Sequence, residues 1–233
     1  MQSFLALVLM VPACLSAQSD VAALKLDAQG KIDCEFLRAH YAFLERAEDP
    51  AIRLLFLGDS ITNGWFWGDH MQLWDRYFGR YDAANFGIGG DRTEHLLWRI
   101  ENGELDRVRP EVVVLLIGTN NIGRPAVEIV RGVARVVDRV REKLPGAQLV
   151  LMGIFPRGAD AADPMRTKIR DINHALSRLG DQSGIHFLDI GDRFLAAEGT
   201  LTREMMPDAL HLGFKGYQIW AEALQPLLAE LMK

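Results

Sequence analysis

The sequence predicts an α/β fold, a three-layer α/β/α sandwich on a five-stranded parallel sheet. Three observations predict it. Short apolar runs recur without polar alternation, which marks strands covered on both faces. Helical periodicity fills the intervals between them. Glycine-rich polar clusters follow the runs, where an open parallel sheet carries its binding crevice.

The apolar runs are 52–57, 83–88, 112–117, 149–155 and 185–190. Helical segments are expected at 92–100, 127–144, 165–179 and 214–232. Pro125 near the first turn and Pro145-Gly146 past the end bracket the second of these. Asp163 with Pro164 reads as cap and first residue of the third. Pro226 lies inside the last and is expected to kink it. Ahead of the sheet, Phe36, Leu37, His40, Tyr41, Phe43 and Leu44 recur at near-helical spacing until Asp49-Pro50. They predict a leading helix within an N-terminal extension, 18–50, before the main domain, 51–233.

With 233 residues, 49% of them hydrophobic, the chain can bury a core without metal or disulfide staples. Its 26 Lys and Arg against 31 Asp and Glu leave a net charge of −5, which gives no electrostatic case for nucleic acid or an anionic membrane as partner. Residues 1–17 read as a secretion signal, apolar from Phe4 to Val11 and ending at Leu15-Ser16-Ala17. The segment is too short for a stable membrane-spanning insertion, so the expected location is secreted or periplasmic. A lipid anchor on Cys14 is the weaker reading, because Pro12 fits a lipobox poorly. Cleavage after Ala17 leaves Cys34 as the lone cysteine, expected to be half-buried on the leading helix.

The chemistry lies in the clusters after the strands. Ser60, in Gly58-Asp59-Ser60, directly follows a buried strand, where rigid backbone holds its hydroxyl at the crevice. Serine needs a base to become a nucleophile. Asp208 and His211, three residues apart near the C-terminus, can supply a base and its orienting carboxylate. Acyl transfer also needs N–H donors for the developing oxyanion. Gly90, Asn120 and the backbone of Ser60 are the candidates. The blander readings are helix caps for Asp59 or Ser60, turn chemistry for Asn120-Asn121, and a tight connection at Gly89-Gly90.

Gly58-Asp59-Ser60-Ile61, Gly90 within Asn85–Asp91, Asn120 within Gly118–Asn121, and Asp208 with His211 resemble the four blocks of GDSL/SGNH hydrolases. The resemblance implies the flavodoxin-like fold of that superfamily. It makes Ser60 the nucleophile, Gly90 and Asn120 oxyanion donors with Ser60, His211 the base and Asp208 its orienter. Ile61 stands where leucine is usual. Phe86–Asp91, Leu97-Trp98-Arg99, Glu101–Leu105 and Pro156-Arg157-Gly158 further resemble the catalytic subunits of the intracellular platelet-activating factor acetylhydrolases. The leader and the leading helix are read as departures from that group. Secreted relatives of this type imply short-chain, acetyl, ester hydrolysis on acetylated carbohydrate, with a phospholipid acetylhydrolase or lipase as the alternative. No cofactor or metal is implied, and a homodimer stays open.

Ile61, Thr119 and Leu210 adjoin the three blocks and are expected to line a small acyl pocket. The aromatic run Gly64–Gly68 is either a sugar platform or core packing beneath a helix with Trp74 and Tyr77. Asp91, Arg92 and His95 are expected at a solvated helix start. A nucleotide-binding domain fits poorly, because Gly87, Gly89 and Gly90 lack the full G-x-G-x-x-G spacing. A metal hydrolase lacks ligand spacing. The rival of another class is a non-catalytic glycan-binding module on the same fold.

Overall fold

The computed structural model describes residues 18–233. The secretion-signal reading and Cys14 fall on residues 1–17, outside that range. Five strands, β1 (Leu54–Gly58), β2 (Ala83–Gly87), β3 (Val112–Leu116), β4 (Gln148–Met152) and β5 (Ile185–Leu188), form one parallel sheet in the order β2-β1-β3-β4-β5. The chain leaves β1 for β2 on one side, then returns across it to β3. This reversal places a crevice at the carboxyl ends of the central strands.

Among the described residues seven α-helices accompany the sheet: α1 (Cys34–Arg46), α2 (Ser60–Asn63), α3 (His70–Phe78), α4 (Thr93–Glu101), α5 (Ala126–Lys143), α6 (Pro164–Ser177) and α7 (Phe214–Leu231). Alternate strand residues feed two separate cores. On one face Leu55, Leu57, Val113, Leu115 and Leu151 pack with Leu96 of α4, Val133 and Val137 of α5, and Ile172 of α6. On the other, Leu54, Phe56, Val112, Val114 and Val150 pack with Trp74 and Phe78 of α3 and Tyr217, Trp220 and Leu224 of α7. Both faces are covered, so the strands read as continuous apolar runs rather than alternating ones.

Asp163 caps α6 as its sequence predicts, its carboxylate accepting from Met165 N at 2.9 Å with Pro164 as the first residue. The last helix runs continuously from Phe214 to Leu231 with Pro226 inside it. Strand β4 stops at Met152, three residues short of the apolar run. Beyond it the Asn173 side chain takes over both backbone groups of Ile154, at 2.9 and 3.0 Å, and ends the pairing. Helix α3 lies in a stretch for which the sequence pattern set no helix boundaries.

The leading helix exists and packs on β2 and α4. Phe43 stacks on Phe86 with ring centroids 4.6 Å apart, and Phe36 lies 5.5 Å from Trp98. Cys34, the first residue of α1, is exposed rather than half-buried, since the helix end leaves it open to solvent.

Candidate active site

Strand β1 ends at Gly58, and Asp59 turns the chain into α2. The Asp59 carboxylate accepts from Ile61 N at 2.9 Å. Ser60 is thereby the first residue of a short helix, 8% exposed, with its hydroxyl at the crevice. The turn is crowded. A Cβ at Gly87 of the neighbouring strand would sit 2.4 Å from Asn63 N, so only glycine lets β2 pass α2.

His211 comes from the loop before α7, and its Nε2 is 2.9 Å from Ser60 Oγ. Its Nδ1 is 2.7 Å from Asp208 Oδ2. An ionised carboxylate only accepts, so Nδ1 carries the proton and Nε2 is left to accept from the serine. The other carboxylate oxygen, Asp208 Oδ1, accepts from the backbone N–H of His211 at 2.7 Å and of Leu210 at 3.1 Å. Burial raises the Asp208 pKa, but these hydrogen bonds from His211 and Leu210 outweigh it and hold the carboxyl below its ordinary value. The tight loop requires Ala209 at φ 57°, a left-handed conformation costing about 1–2 kcal/mol for a residue with a Cβ. Gly158 N donates to Ala209 O at 3.0 Å and anchors the turn from the β4 side.

Gly90 and Asn120 meet across the crevice. Asn120 Nδ2 donates to Asp91 O at 2.8 Å, which fixes the amide against the Gly90 loop and leaves its second hydrogen free. Gly90 has φ 73°, the left-handed region in which glycine carries no steric cost. Ser60, Gly90, Asn120, Asp208 and His211 therefore come from the ends of β1, β2 and β3 and from the last loop. Such a set can transfer a serine proton and receive an oxyanion.

The three residues expected around an acyl pocket divide. Ile61 is 1% exposed within the aromatic core, and Leu210 packs half-buried on that same cluster. Thr119, 3% exposed, instead accepts from Arg157 at its carbonyl, 3.1 Å, and its hydroxyl, 3.3 Å. The aromatic run divides too. Trp65 is fully buried against Tyr217 and Trp220, whereas Phe66 and Trp67 are exposed.

Asp91 is a correction. The expected solvated position is fully buried, with Asp91 Oδ2 3.0 Å from the Nε of an equally buried Arg99. That contact is an ion pair rather than a hydrogen bond, because the Nε–H does not point at the oxygen. Arg99 also donates to Phe86 O at 2.9 Å, Gly58 O at 3.2 Å and both oxygens of Glu104 at 2.9 Å. One guanidinium thus ties the ends of β1 and β2 to the loop that follows Gly90. Burial pushes the Asp91 carboxyl up to about 6 against the pull of Arg99 and Lys25. His95 is pushed down to about 3 by burial and by the cations Lys25, Arg92, Arg99 and Arg124, so it is neutral at working pH.

The N-terminal extension reaches the same loops. Lys25 Nζ donates to Gly89 O and lies 3.5 Å from Asp91 Oδ1. Buried Ser19 accepts from Thr93 at its carbonyl, 2.7 Å, and Asn121 beside Asn120 donates to Glu94 at 2.8 Å. Sequence reasoning missed Lys25, Arg99 and Glu94, because each meets its partners only through the fold. Another cleft, lined by Arg170, Asn173, His174, Asp189 and Arg193, lies past β5 and includes none of the five residues. Among the described residues no helix is long and apolar enough to cross a membrane, and no group of three His, Cys, Asp or Glu is placed to hold a metal ion.

Comparison with known proteins agrees with this architecture. The model of the GDSL-like lipase/acylhydrolase family matches residues 56–219. The chain is 37% identical over 207 residues to platelet-activating factor acetylhydrolase IB subunit alpha1 of Homo sapiens, covering 88% of this chain and 87% of that one. That share exceeds residues 51–233, so the match runs into the extension that the sequence reading set apart. Among solved structures, a GDSL-like lipase from Bacteroides thetaiotaomicron superposes with a TM-score of 0.69 at 17% identity, covering 84% of this chain and 97% of that one. Axe2, an acetylxylan esterase from Geobacillus stearothermophilus, does so at 0.59 and 20%, covering 79% and 96%. At those identities the likeness is one of fold. The chain belongs to the GDSL-like lipase/acylhydrolase family and is a carboxylic ester hydrolase.

Proposed function

We propose that the protein hydrolyses short-chain esters, acetyl esters foremost, through an acyl-enzyme on Ser60, with a carbohydrate as the alcohol part. The observation that carries the reading is the line of contacts from Ser60 Oγ to His211 Nε2, 2.9 Å, and from His211 Nδ1 to Asp208 Oδ2, 2.7 Å. Ser60 Oγ attacks the ester carbonyl while His211 Nε2 takes its proton. Asp208 holds the ring and stabilises the imidazolium. The carbonyl oxygen, now negative, meets the N–H groups of Ser60 and Gly90 and the Asn120 amide. Collapse breaks the ester C–O bond, and His211 returns the proton to the departing oxygen. Water then repeats the sequence on the acyl-serine and frees the acid.

Leu210, half-buried on the aromatic cluster next to His211, is the residue of the three that carries the short acyl preference. A second reading, a platelet-activating-factor-like phospholipid acetylhydrolase, is favoured by the 37% identity to the human alpha1 subunit. It shares the acetyl group and differs in the alcohol. Residues 1–17 as a secretion leader, 18–50 as extension and 51–233 as hydrolase domain complete the proposal, with the mature protein secreted or periplasmic.

The test is hydrolysis of p-nitrophenyl acetate, butyrate and octanoate by protein beginning at Gln18, beside Ser60→Ala. The expected outcome is preference for acetate and a loss of about 10⁴–10⁶ in Ser60→Ala. Leu210→Ala should raise butyrate turnover relative to acetate. A Ser60→Ala protein as active as wild type removes the acyl-enzyme, and an unchanged chain-length profile removes Leu210 from the acyl pocket.

A further inference from the structure

Trp67 is a large aromatic side chain left 42% exposed beside His211, while Trp65, two residues earlier, is fully buried. The Trp67 ring centroid lies 5.4 Å from that of His211, at an interplanar angle of 58°. Its N–H is already engaged, Nε1 donating to Asn63 Oδ1 at 2.9 Å. Asn63 is in turn held by Gly87 O at the end of β2, 3.2 Å away. The indole is therefore fixed from behind, and what it offers a ligand is a flat carbon face.

The position of that face decides which part of a substrate meets it. The following step rests on the acyl-enzyme reading. When the tetrahedral intermediate collapses, the electron pair of the breaking C–O bond goes to the departing oxygen, which takes its proton from His211 Nε2. The first atoms of the alcohol must then lie within hydrogen-bond reach of His211, and so against Trp67. The acyl group stays on Ser60.

We propose that Trp67, braced by Asn63, is the leaving-group subsite and receives a pyranose ring of an acetylated glycan. An apolar face bordered by polar groups matches a sugar, which presents a C–H face edged with hydroxyls. The polar groups close by are Asn63, which accepts the indole N–H, and Asp208, whose half-exposed carboxylate holds His211. Asn63 and Asp208 can hydrogen-bond the hydroxyls of a sugar, and neither is a cation that would hold a phosphodiester. Asn63 and Trp67 are positioning and binding residues here, with no part in proton transfer.

The experiment compares kcat/KM for methyl tri-O-acetyl-β-xylopyranoside, ethyl acetate and an alkyl acetyl glycerophosphocholine in wild type, Trp67→Ala and Trp67→Phe. The ratio of xyloside to ethyl acetate should fall about tenfold in Trp67→Ala, chiefly through KM, as expected for loss of one stacking face. Trp67→Phe should recover most of it. An unchanged ratio overturns the subsite, because a ring that only supports His211 slows both esters alike. A fall confined to the glycerophosphocholine ester replaces the sugar with a lipid. A wild type inert to all three esters sinks the acyl-enzyme reading itself, a result distinct from either.

Discussion

The two halves of the crevice are built on different physics. Ser60 and the loop bearing His211 rest on aromatic packing: Phe56, Trp65, Tyr217 and Trp220 interlock beneath them, and Tyr217 Oη donates to Ile61 O at 2.7 Å. Gly90 and Asn120 rest on buried charge: Arg99 with Asp91 and Glu104, and Arg124 with Glu94 at 2.6 Å. Packing tolerates small changes of shape, because dispersion is spread over many weak contacts. A buried guanidinium with four acceptors has one arrangement, and removing it strands the carboxylates. On the proposed mechanism, the donors aimed at the oxyanion would have directional support and the nucleophile a rigid floor.

The sharpest way to break this comparison is one substitution on each side. Arg99→Met leaves Asp91 and Glu104 buried without their partner and should cost about 3–5 kcal/mol in denaturant unfolding. Arg99→Lys should recover little, because an ammonium cannot span the same four acceptors. Trp65→Phe should cost only about 1 kcal/mol, since the Trp65 N–H is already buried without a partner. Equal losses on the two sides would end the distinction.

Asn120→Ala sharpens it at the level of rate. One oxyanion donor is expected to contribute about 10²–10³ in kcat. kcat and kcat/KM should fall together, as for a contact made only in the transition state. A rise in KM alone would make Asn120 a substrate-binding group instead.

A further expected effect concerns pH. Burial pushes the Asp59 carboxyl from 3.8 up to about 7, despite the N–H of Ile61. Between those values the folded protein keeps a proton that the unfolded chain has released. This contribution to stability is therefore full below about pH 4 and is lost as pH rises toward 7, with a slope no steeper than about 1.4 kcal/mol per pH unit. Asp59→Asn should flatten the difference in unfolding midpoint between pH 5 and pH 8. Parallel pH curves for the two proteins would place the titration elsewhere.

Much of the fold was legible because its strands are buried on both faces. Runs such as Val112 to Ile117 admit little else, and Asp163-Pro164 states its helix start in two residues. Ser60, Asp208, His211, Gly90 and Asn120 could be nominated because strand ends and short spacing bring such groups to one edge. The charge network was not legible. Asp91 reads as a solvated helix start, since charged residues default to water, and only the fold reveals that Arg99 lies behind it. Trp65 and Trp67 show the same limit, as neighbours of one residue type whose fates depend on which faces the sheet.

The most direct test of the central claim is labelling with a fluorophosphonate followed by peptide mapping. The account predicts a single adduct on Ser60, absent from folded His211→Ala, because the hydroxyl reacts only when Nε2 takes its proton. A folded wild-type protein that takes no label at Ser60, or labels equally without His211, would contradict it and favour a binding module on a hydrolase fold.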